Sequence, residues 1–362
     1  MGRSFPTPRP RKRRSVQKRR ASSAKRASVP KLSGNTSTYV KYVKDLVSGK
    51  AVPSGADEAV VKSLYATKEC SAKLRACLLS EGGYGFAYKL EDKGDKMVVK
   101  LPLKGKQGFD INEIEMNLKA YETVKRAFPS HNSQFVAQAL GYWKSAALVE
   151  SFQSRNFAFV YKYEDSLSAY ADLIREKQVS AVDFKSIVFQ VALALWTLQK
   201  HMPGFCHNDM HGDNVLITRN TQSFSYTYGG KTIKHGGKYG IKILDFGMSS
   251  TNSKVTDDGK ALWREVRDNP IVDFLMFCNR TLVYASAGAK RAKAYAPWHQ
   301  PFLHMLERHF VPQVIQNGKG TGQWLDHKYL HINMLDGFQW VNKTYPPGSH
   351  PLSTILKDPF FT

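Results

Sequence analysis

The chain has 362 residues, of which 53 are Lys or Arg and 30 Asp or Glu, for a net charge of +23. No run approaches the ~20 apolar residues a membrane helix needs, the best stretch being Val191 to Leu198, and nothing apolar follows the first charges as it does in a secretory signal. Pro6 stands where a lipid-anchor signal after Met1-Gly2 wants Ser or Thr, so neither a membrane protein nor a secreted one is expected.

From Met1 to Lys31 there are twelve Lys or Arg and no acid, which leaves 23 − 12 = +11 for the rest of the chain. Such a Pro-, Ser- and Arg-rich segment cannot bury enough apolar surface to offset chain entropy, and residues 1–37 read as a disordered basic tail. Arg11-Lys12-Arg13-Arg14 and Lys18-Arg19-Arg20 suit nucleic-acid phosphates or another polyanion, or a nuclear import signal. Residues 38–73, with a helix expected from Asp57 to Ala66, form an N-terminal extension without a functional reading. Four cysteines, Cys70, Cys77, Cys206 and Cys278, show no C-x-x-C pair and no zinc spacing, which points to reduced thiols and to packing for Cys206.

Leu79 to Tyr88 reads as a strand, a glycine-rich turn and a second strand. Gly82, Gly83 and Gly85 would let backbone amides approach phosphate oxygens without a Cβ in the way. Lys96-Met97-Val98-Val99-Lys100 is a strand that ends in a lysine. Ile111, Ile114, Leu118 and Tyr121 then mark a helix, on which Glu113 is the candidate partner of Lys100. Glu115 is its rival, and Asp110 to Glu113 also reads as a capping box, in which Glu113 would bond the helix start. Phe157 to Tyr163 forms a core strand. Ser180 to Asp183 caps a long helix whose apolar residues run from Phe184 to Leu198.

That helix delivers the chain to His207-Asn208-Asp209-Met210-His211-Gly212-Asp213-Asn214. Two readings of this run stay open from spacing alone: a metal cluster of His207, Asp209 and His211, or a polar turn before the strand Val215-Leu216-Ile217. Residues 219–240 read as an inserted hairpin, with Gly229-Gly230 and Gly236-Gly237 between Tyr- and Thr-rich arms. Ile243-Leu244-Asp245-Phe246-Gly247 follows, and then Asn269 to Phe277 with Asp273.

Taken together, these motifs resemble the eukaryotic-like protein kinases over roughly Leu74 to Leu306, and within them the divergent serine/threonine kinases of large DNA viruses. The resemblance implies an α+β, bilobal fold, with a small β-rich lobe and hinge over 74–163 and a larger helical lobe over 164–362. It implies ATP and Mg2+ as well. Asp209 would be the catalytic base, His211 would meet the γ-phosphate, Lys100 and Glu113 would position ATP, and Asn214 and Asp245 would bind the metal. Gly82, Gly83 and Gly85 would cover the phosphates; Tyr161 would gate the adenine pocket, with Lys162 and Tyr163 in the hinge. Asp273 would brace the catalytic loop.

Three departures matter. Asn208 replaces the Arg that grips a phosphorylated activation loop, His211 replaces a Lys, and no Ala-Pro-Glu follows Asp245-Phe246-Gly247. A protein Ser or Thr is the expected acceptor, in the nucleus or cytoplasm of a host cell or in a virion. A small-molecule phosphotransferase resembling aminoglycoside and choline kinases is an alternative, as is a pseudokinase that binds nucleic acid.

Overall fold

The computed structural model describes residues 37–68, 70, 76–81, 85–103, 111–128, 135–148, 157–176, 179–219, 224–228, 231–235, 237–251, 254–255, 271–292, 296–316 and 352–361. The basic tail, Gly82, Gly83 and the Asp110 end of the capping box lie outside the described residues.

Helices α1 (Ser37–Val47) and α2 (Ala56–Ala66) precede strands β1 (Ala76–Glu81), β2 (Gly85–Asp92) and β3 (Asp95–Pro102), helix α3 (Ile111–Ala127), and strands β4 (Ala139–Lys144) and β5 (Phe157–Lys162). The five strands form one antiparallel sheet in the order β1-β2-β3-β5-β4. Period-2 alternation along β3 sends Met97, Val99 and Leu101 to one face, where they meet Val40 and Val43 of α1 and Val60, Val61 and Leu64 of α2. The extension that had no reading from sequence is therefore a cover for this face. Ile114 of α3 packs with Ala139 and Phe159, with Tyr161 beside them.

The chain then forms β6 (Ser166–Ala169), α4 (Tyr170–Arg175), α5 (Ala181–His201), β7 (Val215–Arg219), β8 (Phe224–Tyr228), β9 (Lys231–His235), β10 (Tyr239–Ile243), β11 (Ser250–Thr251), β12 (Lys254–Val255), α6 (Ile271–Ala292), α7 (His299–Gln316) and α8 (Leu352–Ile355). Ser180 accepts the Asp183 N–H at 3.1 Å and starts α5 as the capping pattern requires. By length and composition α5 is apolar enough to cross a membrane, contrary to the sequence expectation, but most of it is buried inside the protein. Its side chains form a core with α3, α4, α6, α7, β7, β10 and the C-terminal Phe360 and Phe361. Phe184 stacks on Trp298 with centroids 3.7 Å apart.

One expectation needs correction. Cys70 and Cys77, their Cα atoms 4.0 Å apart, are joined in a disulfide rather than reduced; Cys206 and Cys278 are buried thiols. Strands β8 and β9 pair with each other beyond the β7–β10 ladder, which pairs Val215 with Ile243 and Arg219 with Tyr239.

Candidate active site

β3 places Lys100 opposite Ala87 of β2, and Gly85 pairs with Pro102, so the end of the glycine-rich turn lies at the Lys100 end of the sheet. On the other side Lys100 pairs with Phe159 and Val98 with Tyr161, which puts Tyr161 on the same face as Lys100. Lys100 Nζ lies 2.7 Å from Glu113 Oε1 and 3.4 Å from Asp245 Oδ1. Glu113 is 4% exposed, whereas Glu115 is exposed, so the helix face settles which of the two meets the lysine. The Tyr161 hydroxyl donates to the same Glu113 oxygen at 3.4 Å.

These contacts control charge. Burial would discharge Lys100, but Asp245 and Glu113 more than offset it and hold the ammonium protonated. Burial pushes Glu113 up to about 7 against the pull of Lys100. Asp245 is held below the usual carboxylate range: burial opposes this, but Lys100, His207 and the Gly247 amide prevail.

The run from His207 to Asn214 is a loop between buried supports. Asp273 Oδ2 and Oδ1 accept the backbone N–H of His207 and of Asn208 at 2.6 and 2.8 Å. Burial raises Asp273 to about 6 even so. The bonds fix Asn208 at φ 62, a left-handed conformation that Asn tolerates better than most residues. The Asn208 amide in turn donates to Met248 O at 3.0 Å and Ser250 Oγ at 3.1 Å. Asn208 thus ties the loop directly to the segment after Asp245. His207 Nε2 lies 2.9 Å from Leu244 O, and among the described residues no group of three His, Cys, Asp or Glu is placed to hold a metal ion. The metal-cluster reading of His207, Asp209 and His211 falls.

Asn214 Nδ2 donates to Asp209 O at 2.9 Å and to Asp209 Oδ2 at 3.0 Å, and His211 Nε2 lies 3.4 Å from the same Oδ2. Both side-chain contacts fall on one oxygen of Asp209. Leu244 N donates to Asn214 O at 2.9 Å and so sets Asn214 next to Asp245, itself at φ 58. With its amide nitrogen engaged, Asn214 has its carbonyl oxygen left to offer. A neutral oxygen and an ionised carboxylate are a donor pair that suits Mg2+, which takes one or two carboxylates and completes its shell with water and phosphate oxygens.

Two neighbours of His211 gave no sequence signal. Asp213 Oδ2 is 3.5 Å from His211 Nδ1, and the Tyr284 hydroxyl donates to Asp213 Oδ2 at 3.4 Å across a separation of 71 residues. Burial would lower the His211 pKa, but Asp209 and Asp213 outweigh burial and Arg280 and raise it. Lys162 is exposed and pairs with Met97, three residues along β3 from Lys100. The Tyr163 ring sits under the Lys89 ammonium, 4.8 Å from the centroid, so neither residue is brought to the Lys100 cluster.

Residues 156–296, which carry Asp209, His211, Asn214, Asp245 and Asp273, match the family model for poxvirus serine/threonine protein kinases. Over this segment the chain is similar to divergent viral kinases. Over 141 residues it is 32% identical to "Probable kinase 098L" of Invertebrate iridescent virus 3, an alignment that covers 35% of this chain and 26% of that protein. The kinase-like chain thus spans about a quarter of the relative it matches. Lys100 and Glu113 precede the segment matched by the family model and meet it through the 3.4 Å approach of Lys100 to Asp245 and the Tyr161 hydroxyl on Glu113.

Proposed function

We propose that this protein transfers the γ-phosphoryl group of ATP to a Ser or Thr hydroxyl of a protein, in a bilobal arrangement with the five-stranded sheet as the small lobe and the α5 core as the large one. The observation that carries this reading is the convergence of Lys100, Glu113 and Asp245 within 3.4 Å, with Asp209 and Asn214 joined at 3.0 Å on the next loop. Lys100, held charged, orients the phosphates of ATP, and Glu113 and Tyr161 hold Lys100 in place. Asn214 and Asp245 are the residues that would hold Mg2+, which when bound supplies charge neutralisation at the phosphates.

Asp209 Oδ1 faces the acceptor. As the hydroxyl oxygen bonds to the γ-phosphorus and the bond to the β-phosphate bridging oxygen breaks, the hydroxyl proton passes to Asp209 and ADP leaves. His211 Nε2 would exchange its 3.4 Å contact with Asp209 Oδ2 for a transferring phosphoryl oxygen, to which it donates. The rest is positioning and electrostatic stabilisation, which is where catalysis in this chemistry resides.

His211 favours a second reading, a small-molecule phosphotransferase. Asp245-Phe246-Gly247 weighs against it, since those enzymes usually carry Asp-x-Asp. A nucleic-acid-binding pseudokinase is opposed by the presence of Lys100, Asp209, Asn214 and Asp245 together. The discriminating experiment offers radiolabelled ATP with casein, histone, the protein itself, choline and an aminoglycoside. Label on Ser or Thr of a protein supports the proposal; label confined to a small molecule, or none anywhere, overturns it. Residues 1–31 are proposed to bind nucleic acid or another polyanion, in the nucleus or cytoplasm of a host cell or in a virion.

A further inference from the structure

Two helices that touch the loop from His207 to Asn214 also bring arginines to it. The Tyr170 hydroxyl of α4 shares a hydrogen bond with Thr281 of α6 at 3.1 Å, and its ring lies 4.9 Å from that of Phe277, so α4 is packed on α6. Along α6, Asp273, Arg280 and Tyr284 are seven and then four residues apart, spacings that place them on one face of a helix. Asp273 holds the His207 and Asn208 amides and Tyr284 donates to Asp213, so both ends of this face meet the loop. Arg280 stands between them, roughly 6 Å along the axis before Tyr284. Its charge acts on His211 and on Tyr284 alike. From α4, the Arg175 guanidinium lies over the Tyr284 ring, 4.5 Å from the centroid.

The neighbouring acids are already engaged. Asp213 Oδ2 accepts from Tyr284 and lies 3.5 Å from His211 Nδ1, and Asp172 Oδ1 accepts from Arg175 at 2.9 Å. The Arg175–Asp172 pair is exposed and local to one helix, a kind worth little and readily exchanged for a better anion. Arg280 is half-buried and has no ion-pair partner among the described residues. A guanidinium cannot discharge to relieve burial as a lysine can, so Arg280 gains from an anion that arrives. The sequence has the same sign: between Asp273 and Glu307 there is no Asp or Glu, and the cations are Arg280, Lys290, Arg291 and Lys293.

Contacts of 3.4, 3.5 and 3.4 Å lead from Asp209 Oδ2 through His211 and Asp213 to the Tyr284 hydroxyl, and none of them involves Lys100, Glu113 or Asp245. We infer that Arg280 and Arg175 form an acceptor subsite that selects an acidic side chain, carboxylate or phosphate, a few residues from the Ser or Thr to be phosphorylated. An extended peptide advances ~3.3 Å per residue, so with its hydroxyl at Asp209 a side chain about two to four residues away, roughly 7–13 Å, arrives at the scale of this contact chain. The fork of guanidinium donors suits the paired oxygens of either anion. A basic side chain would meet Arg280 as a like charge, with Asp172 and Asp213 already occupied. The inference rests on the proposed phosphotransfer and names its substrate class.

The test is steady-state phosphorylation, by the full-length protein, of peptides with one acceptor serine and Ala, Glu, Arg or phosphoserine scanned through the flanking positions. At one position or more, Glu or phosphoserine should raise kcat/KM over Ala by at least about tenfold, the scale of a hydrogen bond to a charged group. Whichever gains more identifies the anion. The ratio should shrink as salt is raised, because the pair is open to solvent. Arg280→Gln should bring the ratio close to unity, and Arg280→Lys, which keeps the charge, should preserve its direction. Arg280→Glu should transfer the preference to the Arg peptides, a reversal that damage to the fold does not produce. Equal use of Ala, Arg and acidic peptides by the wild-type protein, an acidic preference that survives in Arg280→Glu, or transfer to casein or histone but to none of the peptides would overturn the inference and leave phosphotransfer standing. Transfer to no peptide and no protein would overturn both.

Discussion

Glu113 illustrates how one buried residue can make stability and nucleotide binding respond to pH in opposite senses. Its folded-state pKa of about 7 lies above the ordinary value, because burial penalises the carboxylate more than Lys100 relieves it. A carboxyl with a raised folded pKa contributes stability that is fully present below the unfolded value and is lost as pH rises through the folded one. Melting temperature in the nucleotide-free protein should therefore rise on acidification from above to below about 7 relative to Glu113→Gln, which has no such group. Over the same range the neutral carboxyl loosens its hold on Lys100, so KM for ATP should rise. Parallel melting curves for the two proteins across this range would contradict the assignment. Spacing alone could not separate Glu113 from Glu115, since both lie on the expected helix; what decides is burial, which depends on how α3 lies against β5.

Among the elements, α6 holds the loop from His207 to Asn214 through Asp273. Replacing Asp273 by Asn leaves one acceptor oxygen for two backbone N–H groups and sets an amide N–H against the other, and a hydrogen bond to a charged partner is worth about 1.5–3 kcal/mol. Asp273→Asn should lower the urea midpoint accordingly and reduce kcat more than it raises KM for ATP, because Asp209 moves and Lys100 does not. A variant with wild-type kcat would show that the loop keeps its shape without this brace. Gly212 is a second fixed point: a Cβ there would sit 2.7 Å from the Tyr284 ring and 3.1 Å from Ala171 N. Gly212→Ala should cost about 1–3 kcal/mol by overpacking, read from chemical denaturation. Strands β1 to β3, β5 and β7, helix α5 and the loop were legible because short apolar runs, Ser180 and the apolar period mark them locally, whereas β4 and β6 carry no such signal. Asp213 and Tyr284 were not, since their contact depends on α6 crossing the loop, and no local pattern encodes that.

For the whole molecule, one hydrophobic core lies between the sheet and the helices α1 and α2, and another is built around α5. The first depends on α1 and α2, which the sequence marked as helical only in part and left without a role because their partner face lies across β2 and β3. Leu64 is buried there, and Leu64→Ala should cost about 2–5 kcal/mol, measured by denaturation. Deleting residues 1–31 should leave the melting temperature unchanged while it weakens duplex DNA binding and flattens its salt dependence, since twelve cations leave with the tail. An undiminished salt slope would locate the polyanion site elsewhere. The proposed phosphotransfer needs Asp209 to act on the acceptor and Asp245 on the metal-bound nucleotide, and the most direct measurement is turnover alongside Mg2+-dependent ATP affinity for Asp209→Asn and Asp245→Asn. Both variants should lose nearly all phosphotransfer, with Asp209→Asn retaining wild-type nucleotide affinity and Asp245→Asn losing it. Wild-type turnover in either variant, or the opposite division of affinity between them, would contradict it.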